Sequence, residues 1–339
     1  MKKRLSDILK FVLFVGIGVF FIYWFLLKLE PEQKSAIWQS FRNADYLWVA
    51  LAMLVSILSH LIRALRWNML LQSSGCETKT NHTFGAVMTA YLANLAVPRL
   101  GEVLRCGVLR TADNIPMEKS FGTVVTERVV DVFAFLLTIL LGLLLAFSEL
   151  KDWLYNQLAS KFDTLPTLGL LAAVGIVLLV LLAVLYRIFR ERLLKHTLFR
   201  KLNNLLLGFI DGLKSVFRLR KPWLFIFYSL AIYFLYLLGG YVVFMALPQT
   251  ASLPFIAALI LYIFGSVGMM VTPGGIGLYP VLVWQALTIF AVSQEAGLAC
   301  GWILWGSQQL VVLVLGMFYL VKFSLLRRKK NTSEEKSLT

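Results

Sequence analysis

The chain has 339 residues, 59% of them hydrophobic and 15% charged, with a formal net charge of +15 and a mean hydropathy of +0.77. A soluble domain is about 45–50% apolar and about 25% charged, so the excess has no aqueous core to fill and soluble classes are excluded. The basic residues gather in short segments at the ends of apolar runs, which is topology information rather than a nucleic-acid surface, so no nucleic-acid partner is expected.

Those runs are continuous rather than alternating, which predicts an all-α polytopic bundle in a membrane and argues against barrel strands. The first span, 10–29, follows Lys2, Lys3 and Arg4 and is too long for a signal-peptide core, so it reads as an uncleaved helix. A second span, 46–66, closes near Arg63, Arg66 and Trp67, which read either as interface anchors or as part of a larger cationic surface. An apolar segment at 83–97 breaks at Pro98, and a short helix follows at 100–110. Full spans at 118–147 and 166–187 come next, then an amphipathic segment at 197–219 suited to an anionic lipid surface. After a span at 223–246, the apolar segment 254–271 breaks at Pro273-Gly274-Gly275, with a short apolar segment at 278–293. The last span is 297–321. Residues 1–326 are read as one transmembrane domain, and 327–339 as a short, charged, disordered tail.

Charge orients these spans. The stretch 187–221 carries Arg187, Arg190, Arg192, Lys195, Arg200, Lys201, Lys214, Arg218, Arg220 and Lys221 against Glu191 and Asp211, and is placed on the cytoplasmic side. Six full spans then put both termini in the cytoplasm of a bacterial inner membrane. Residues 254–293 form either a re-entrant pair or two crossings, with the same parity. Both interrupted regions place proline and glycine after an apolar run, and they enter from opposite sides. That arrangement points to an inverted repeat with a site between its halves.

Three constellations carry candidate chemistry. Glu127, Arg128 and Asp131 lie within an apolar stretch, where one charge near the bilayer centre costs roughly 2.5–3.5 kcal/mol. Thr123, Glu127 and Asp131 fall four apart on one stripe, which must face protein or a wet cavity. Its role is either to lock helices together or to form a site. Pro98-Arg99-Leu100-Gly101-Glu102 breaks the backbone at the start of a short helix, and Arg99 and Arg105 there suit a lipid phosphate. Pro273, Gly274, Gly275 and Gly277 permit a tight bend but lack the ending of a nucleotide-binding loop. Cys76, Cys106, Cys300, His60, His82 and His196 are scattered, so neither a metal nor another cofactor is expected.

Arg63-x-x-Arg66-Trp67, Pro98-x-x-Gly101-Glu102-x-x-Arg105, Glu127-Arg128-x-x-Asp131 and Pro273-Gly-Gly-x-Gly277 resemble, in order and spacing, the lysylphosphatidylglycerol synthase transmembrane domain. The likeness runs from about residue 10 to 325. In bifunctional members this region resembles a flippase for aminoacylated phosphatidylglycerol, and a separate cytoplasmic domain makes the lipid. No stretch here is long enough for that domain, so synthase activity is not expected. Tyr279-Pro280 stands where many relatives carry an acid, a departure that bears on the lysyl headgroup.

The resemblance implies a translocator of a membrane phospholipid or polyprenyl-linked lipid, with Arg99 and Arg105 on the phosphate and Glu127 and Asp131 on a polar or cationic headgroup or a coupling proton. A homo-oligomer is compatible with it. No catalytic triad or GxSxG motif occurs, so the chain is expected not to be an enzyme. The alternatives are a membrane-embedded transferase with Glu127 or Asp131 as base, and a cell-envelope scaffold.

Overall fold

A computed structural model describes residues 31–97, 99–151, 153 and 216–338. The predicted spans at 10–29 and 166–187, and nearly all of the amphipathic segment at 197–219, lie outside the described residues. The chain divides into two compact units, Met1–Ala146 with Leu219–Thr339, and Phe147–Arg218. Every element described below belongs to the first.

Among the described residues the fold is helical throughout, as the continuous apolar runs require. The helices are α1 (Pro31–Asn43), α2 (Tyr46–Ser73), α3 (Thr80–Ala96), α4 (Leu100–Asp113), α5 (Met117–Leu145), α6 (Pro222–Phe244), α7 (Phe255–Val271), α8 (Leu278–Thr288) and α9 (Gln294–Leu338). Four segments are long and apolar enough to cross a membrane: Tyr46–Ser73, Met117–Leu145, Pro222–Phe244 and Gln294–Leu326. They coincide with the predicted spans at 46–66, 118–147, 223–246 and 297–321. Helix α9 continues across the charged segment after Leu326.

Local chemistry sets the boundaries. Asp45 caps α2 by accepting a hydrogen bond from Leu47 N at 2.9 Å, which satisfies one of the free amides of the first turn. Pro222 opens α6, where its missing N–H costs nothing. Leucines on α5 such as Leu136, Leu140 and Leu144 are half-exposed, whereas Thr123 and Glu127 are buried. A polar stripe inside and an apolar surface outside is the arrangement a hydrocarbon solvent selects.

The two interrupted regions form antiparallel hairpins. In the first, Asp113 at the end of α4 accepts hydrogen bonds from Thr78 Oγ1 at 2.6 Å and pairs with His82 Nδ1 at 2.8 Å, closing the base beside the start of α3. At its tip Arg99 adopts a left-handed backbone (φ 66°), and Gly101 N donates to Asn94 Oδ1 at 2.8 Å. The second hairpin joins α7 to α8 through a 3₁₀ turn, Pro273–Gly275. Gly274 and Gly275 there have φ of 60° and 74°, a region that L side chains enter only with strain. At 1.5 Å per residue α8 reaches only about 16 Å and α4 about 21 Å, against a hydrocarbon core of about 30 Å. Each of these two helices is therefore shorter than that thickness, and Phe255–Val271 and Leu278–Thr288 both fall below the length of the four spanning segments.

Helix α9 shows how the hairpins are opposed. Its Gly297 lies against Trp284 of α8 and Gly301 against Pro280. Farther along, Trp305 Nε1 donates to the carbonyl of Gly274 at 2.7 Å, and Gln309 Nε2 approaches the same oxygen at 3.4 Å. Beyond the tip, Gly316 packs on Leu92 and Met88, Tyr319 donates to Asn81 Oδ1 at 2.6 Å, and Phe323 faces His82. One helical stripe therefore runs from near the second hairpin's base to its tip, then along the first hairpin from beside its tip to its base. The hairpins enter from opposite ends of α9 and meet where Leu95 touches Gly274. A cluster that includes Val242, Phe244, Leu261, Val283 and Leu304 packs the Gly297 end.

Candidate functional site

The candidate residues converge from α2, α4 and α5, with support from α6. On α5, Glu127 begins about 15 Å from the helix start and is fully buried. Its Oε1 accepts from Arg63 Nη1 at 2.8 Å and Arg66 Nη2 at 3.1 Å, and its Oε2 accepts from Arg105 Nη1 at 2.7 Å. Asp131, one turn on, accepts from Arg63 Nη1 at 2.8 Å through Oδ2 and from Arg66 Nη2 at 2.6 Å through Oδ1. Two arginines spaced i, i+3 on α2 thus meet two acids spaced i, i+4 on α5, each guanidinium touching both carboxylates. Such charge-assisted, doubly bonded contacts are the strong class of hydrogen bond.

Neighbouring side chains fix the arginines. Arg63 Nη2 donates to Tyr236 Oη at 3.0 Å and Arg66 Nη1 to Ser229 Oγ at 3.2 Å. Tyr233 Oη donates to the backbone carbonyl of Asp131 at 2.7 Å. The Trp67 indole donates to Thr123 Oγ1 at 2.9 Å, and its ring lies 4.5 Å from the Arg105 guanidinium carbon. Arg128 bridges Glu102 at 3.2 Å and approaches Asp131 at 3.7 Å.

The structure therefore brings together Arg63, Arg66, Glu102, Arg105, Glu127, Arg128 and Asp131. Arg63 and Arg66 are buried partners of the acidic stripe rather than interface anchors. Arg99 stands apart: it is exposed at the first hairpin tip, with no ion pair to this network. Gly101 is buried at that tip against α3, so closely that an added Cβ would meet the Ala90 carbonyl and fall 2.7 Å from Asn94 Oδ1. Pro98 lies outside the described residues, while Pro273, Gly274, Gly275 and Gly277 form the second tip. Ser229, Tyr233 and Tyr236 were not singled out from the sequence. Their spacing of four and three, a polar stripe on the apolar α6, is the signal that finds them.

A polytopic helical protein with two opposed broken hairpins and a buried arginine–carboxylate network is a membrane protein by fold and by site. The chain belongs to the family described as the lysylphosphatidylglycerol synthase TM region, which matches residues 8–316. It is 28% identical over 106 residues to a protein of Haloferax volcanii named glycosyltransferase AglD, covering 31% of this chain and 16% of that one. A UPF0104 membrane protein of Methanothermobacter thermautotrophicus is 26% identical over 159 residues, 45% of this chain and 46% of the relative. Another from Methanocaldococcus jannaschii is 31% identical over 97 residues, 28% and 29% of the two chains. In each case the match spans less than half of the relative's length. No solved structure matches the chain.

The first of these relatives corrects one expectation. The chain was expected to lie outside the enzymes because it lacks the motifs of soluble catalytic domains, yet a relative bears an enzyme's name. Those motifs mark nucleophiles and nucleotide loops of water-exposed sites, and a segment buried in a membrane need carry none of them. Their absence does not exclude catalysis.

Proposed function

We propose that this chain moves a phosphate-containing lipid or lipid-linked carrier between membrane leaflets without ATP hydrolysis. The observation that carries this reading is the pair of opposed hairpins whose tips meet at Leu95 and Gly274 along one face of α9. Broken helices of opposite entry are a recurrent way to build a site that opens alternately to each side. The basic run Arg327-Arg328-Lys329-Lys330 supports a cytoplasmic placement of the Phe323 end of α9, and both termini with it, in an inner membrane. In this reading Arg99 and Gly101 flank the path at the first tip, and the buried network lies along it.

The test is a disulfide across the tips. A Cβ built on Gly274 lies 3.8 Å from Leu95 Cα, within reach of a cross-link, and Cys76, Cys106 and Cys300 are buried. In proteoliposomes with fluorescent lipids and an external quencher, wild type should quench more than the outer-leaflet half of the label. The Leu95→Cys/Gly274→Cys protein should do so reduced and stop when oxidised. Outer-leaflet quenching alone for every lipid tried, or unchanged movement with the tips cross-linked, overturns the reading.

The likeness to a named glycosyltransferase favours a second reading, a membrane-embedded part of a transferase acting on a lipid-linked sugar. Transfer from a labelled sugar donor to a polyprenyl lipid by the purified chain would select it.

A further inference from the structure

We infer that the buried network takes an anionic phosphate group as its ligand, gripped by Arg105, and does not serve a cationic headgroup. This deepens the lipid-handling reading and rests on it only for the source of the phosphate.

The charges do not balance. Arg63, Arg66 and Arg105 are buried at 5%, 0% and 2% exposure, and they face two carboxylates, Glu127 and Asp131. The Arg128–Glu102 pair adds one charge of each sign, so among the described residues the network carries one excess positive charge. Both central carboxylates are already engaged. Both oxygens of Glu127 and both of Asp131 accept from guanidinium groups at 2.6–3.1 Å. A cationic headgroup would therefore find those acids occupied and would add to an uncompensated charge.

The spare hydrogen-bonding capacity has the opposite sense. Among the described residues Arg105 Nε and Nη2 are buried without a partner, and so are the Nε atoms of Arg63, Arg66 and Arg128. Against these five donors the network itself offers one unpartnered carboxylate oxygen, Glu102 Oε2; the other unpartnered buried atoms, Asn68 Oδ1 and His60 Nδ1, belong to α2 outside the ion pairs. Nε and Nη2 form the outer edge of a guanidinium, the fork that matches two oxygens of a phosphate. Glu127 holds Arg105 through Nη1, and Trp67 lies across its face, so the free edge is held in one orientation. A group of one negative charge would neutralise the excess and satisfy the fork together.

The experiment titrates the purified chain in phosphatidylcholine nanodiscs with phosphatidylglycerol, a cationic trimethylammonium lipid, or inorganic phosphate, following tryptophan fluorescence and thermal stability. Saturable binding of phosphatidylglycerol and none of the cationic lipid is expected. Arg105→Gln should abolish it and still fold, since Arg63 and Arg66 then balance Glu127 and Asp131. Arg105→Lys, which keeps the charge without the fork, should raise the apparent Kd by about tenfold. Binding of inorganic phosphate, lost in Arg105→Gln, makes the source a free anion; binding of phosphatidylglycerol alone makes it a headgroup, and both support the site. Equal binding of the cationic lipid, or a folded Arg105→Gln protein that binds phosphatidylglycerol undiminished, overturns the inference. Binding without leaflet exchange would sink the translocator reading and leave this site standing. Leaflet exchange that survives in a protein unable to bind the anion would do the reverse.

Discussion

Glu127→Gln is the perturbation with the largest expected effect on stability. Glu127 accepts three guanidinium hydrogen bonds at 2.7–3.1 Å while fully buried. A pair of unit charges with centres about 4 Å apart attracts by about 4 kcal/mol at an effective dielectric of about 20. Desolvation offsets much of that attraction, but the penalty for the arginines stays when the acid is neutralised. Stripping one partner from a buried ion pair costs about 3–5 kcal/mol. The glutamine amide also turns a donor toward the arginines. Glu127→Gln should therefore lose about 3–5 kcal/mol of unfolding free energy in bicelles, read by denaturing-detergent titration. Adding Arg105→Gln returns the excess charge to that of wild type and should recover about 2 kcal/mol or more. A single variant within about 1 kcal/mol of wild type, or a double variant no more stable than the single, would show that the network is not the buried, mutually dependent unit described above.

The same titration tests two glycines that look alike in the sequence. Gly122 on α5 has nothing within 4 Å of an added Cβ, so Gly122→Ala should stabilise by about 0.5–1 kcal/mol. On α9, a Cβ at Gly301 would lie 2.7 Å from Pro280 Cα and 2.9 Å from its carbonyl oxygen, so Gly301→Ala should cost about 1–3 kcal/mol. At the first hairpin's base, Asp113→Ala removes the acceptor shared by Thr78 and His82. Hydrogen exchange around residues 78–83 should accelerate while that at α6 stays unchanged; equal acceleration in both would mean the base is not a local clasp.

Much of this architecture was legible because a membrane writes it in simple terms. Uninterrupted apolar length marked α2, α5, α6 and α9, and a proline or a run of glycines marked where α3 and α7 stop short. Charge spacing on α5 also read correctly, since Glu127 and Asp131 do face inward. What the sequence withheld was partnership. Arg63 lies near the end of an apolar span, where an interface anchor is the ordinary reading, and its acids are more than sixty positions away. Matching i, i+3 arginines on one span with i, i+4 acids on another would have suggested the pairing. Arg99 and Arg105 share one short segment, yet less than two helical turns separate an exposed tip from a buried network. Which of two neighbouring arginines is enclosed depends on what α5 brings alongside.

The stripe of α9 that carries Gly301, Trp305, Gln309, Gly316 and Tyr319 has a mechanical consequence. From Gln309, the arm toward Gly297 measures about 18 Å and the arm toward Phe323 about 21 Å. The segment Gly297–Phe323 of α9 is held near its middle by the Gly274 carbonyl and has the proportions of a balance beam, with one hairpin's base near the end of each arm. A small tilt about that fulcrum swings the two ends in opposite directions. In the proposed translocator, room gained beside one base would be room lost beside the other, and no second moving part would be needed to keep the two sides from opening together.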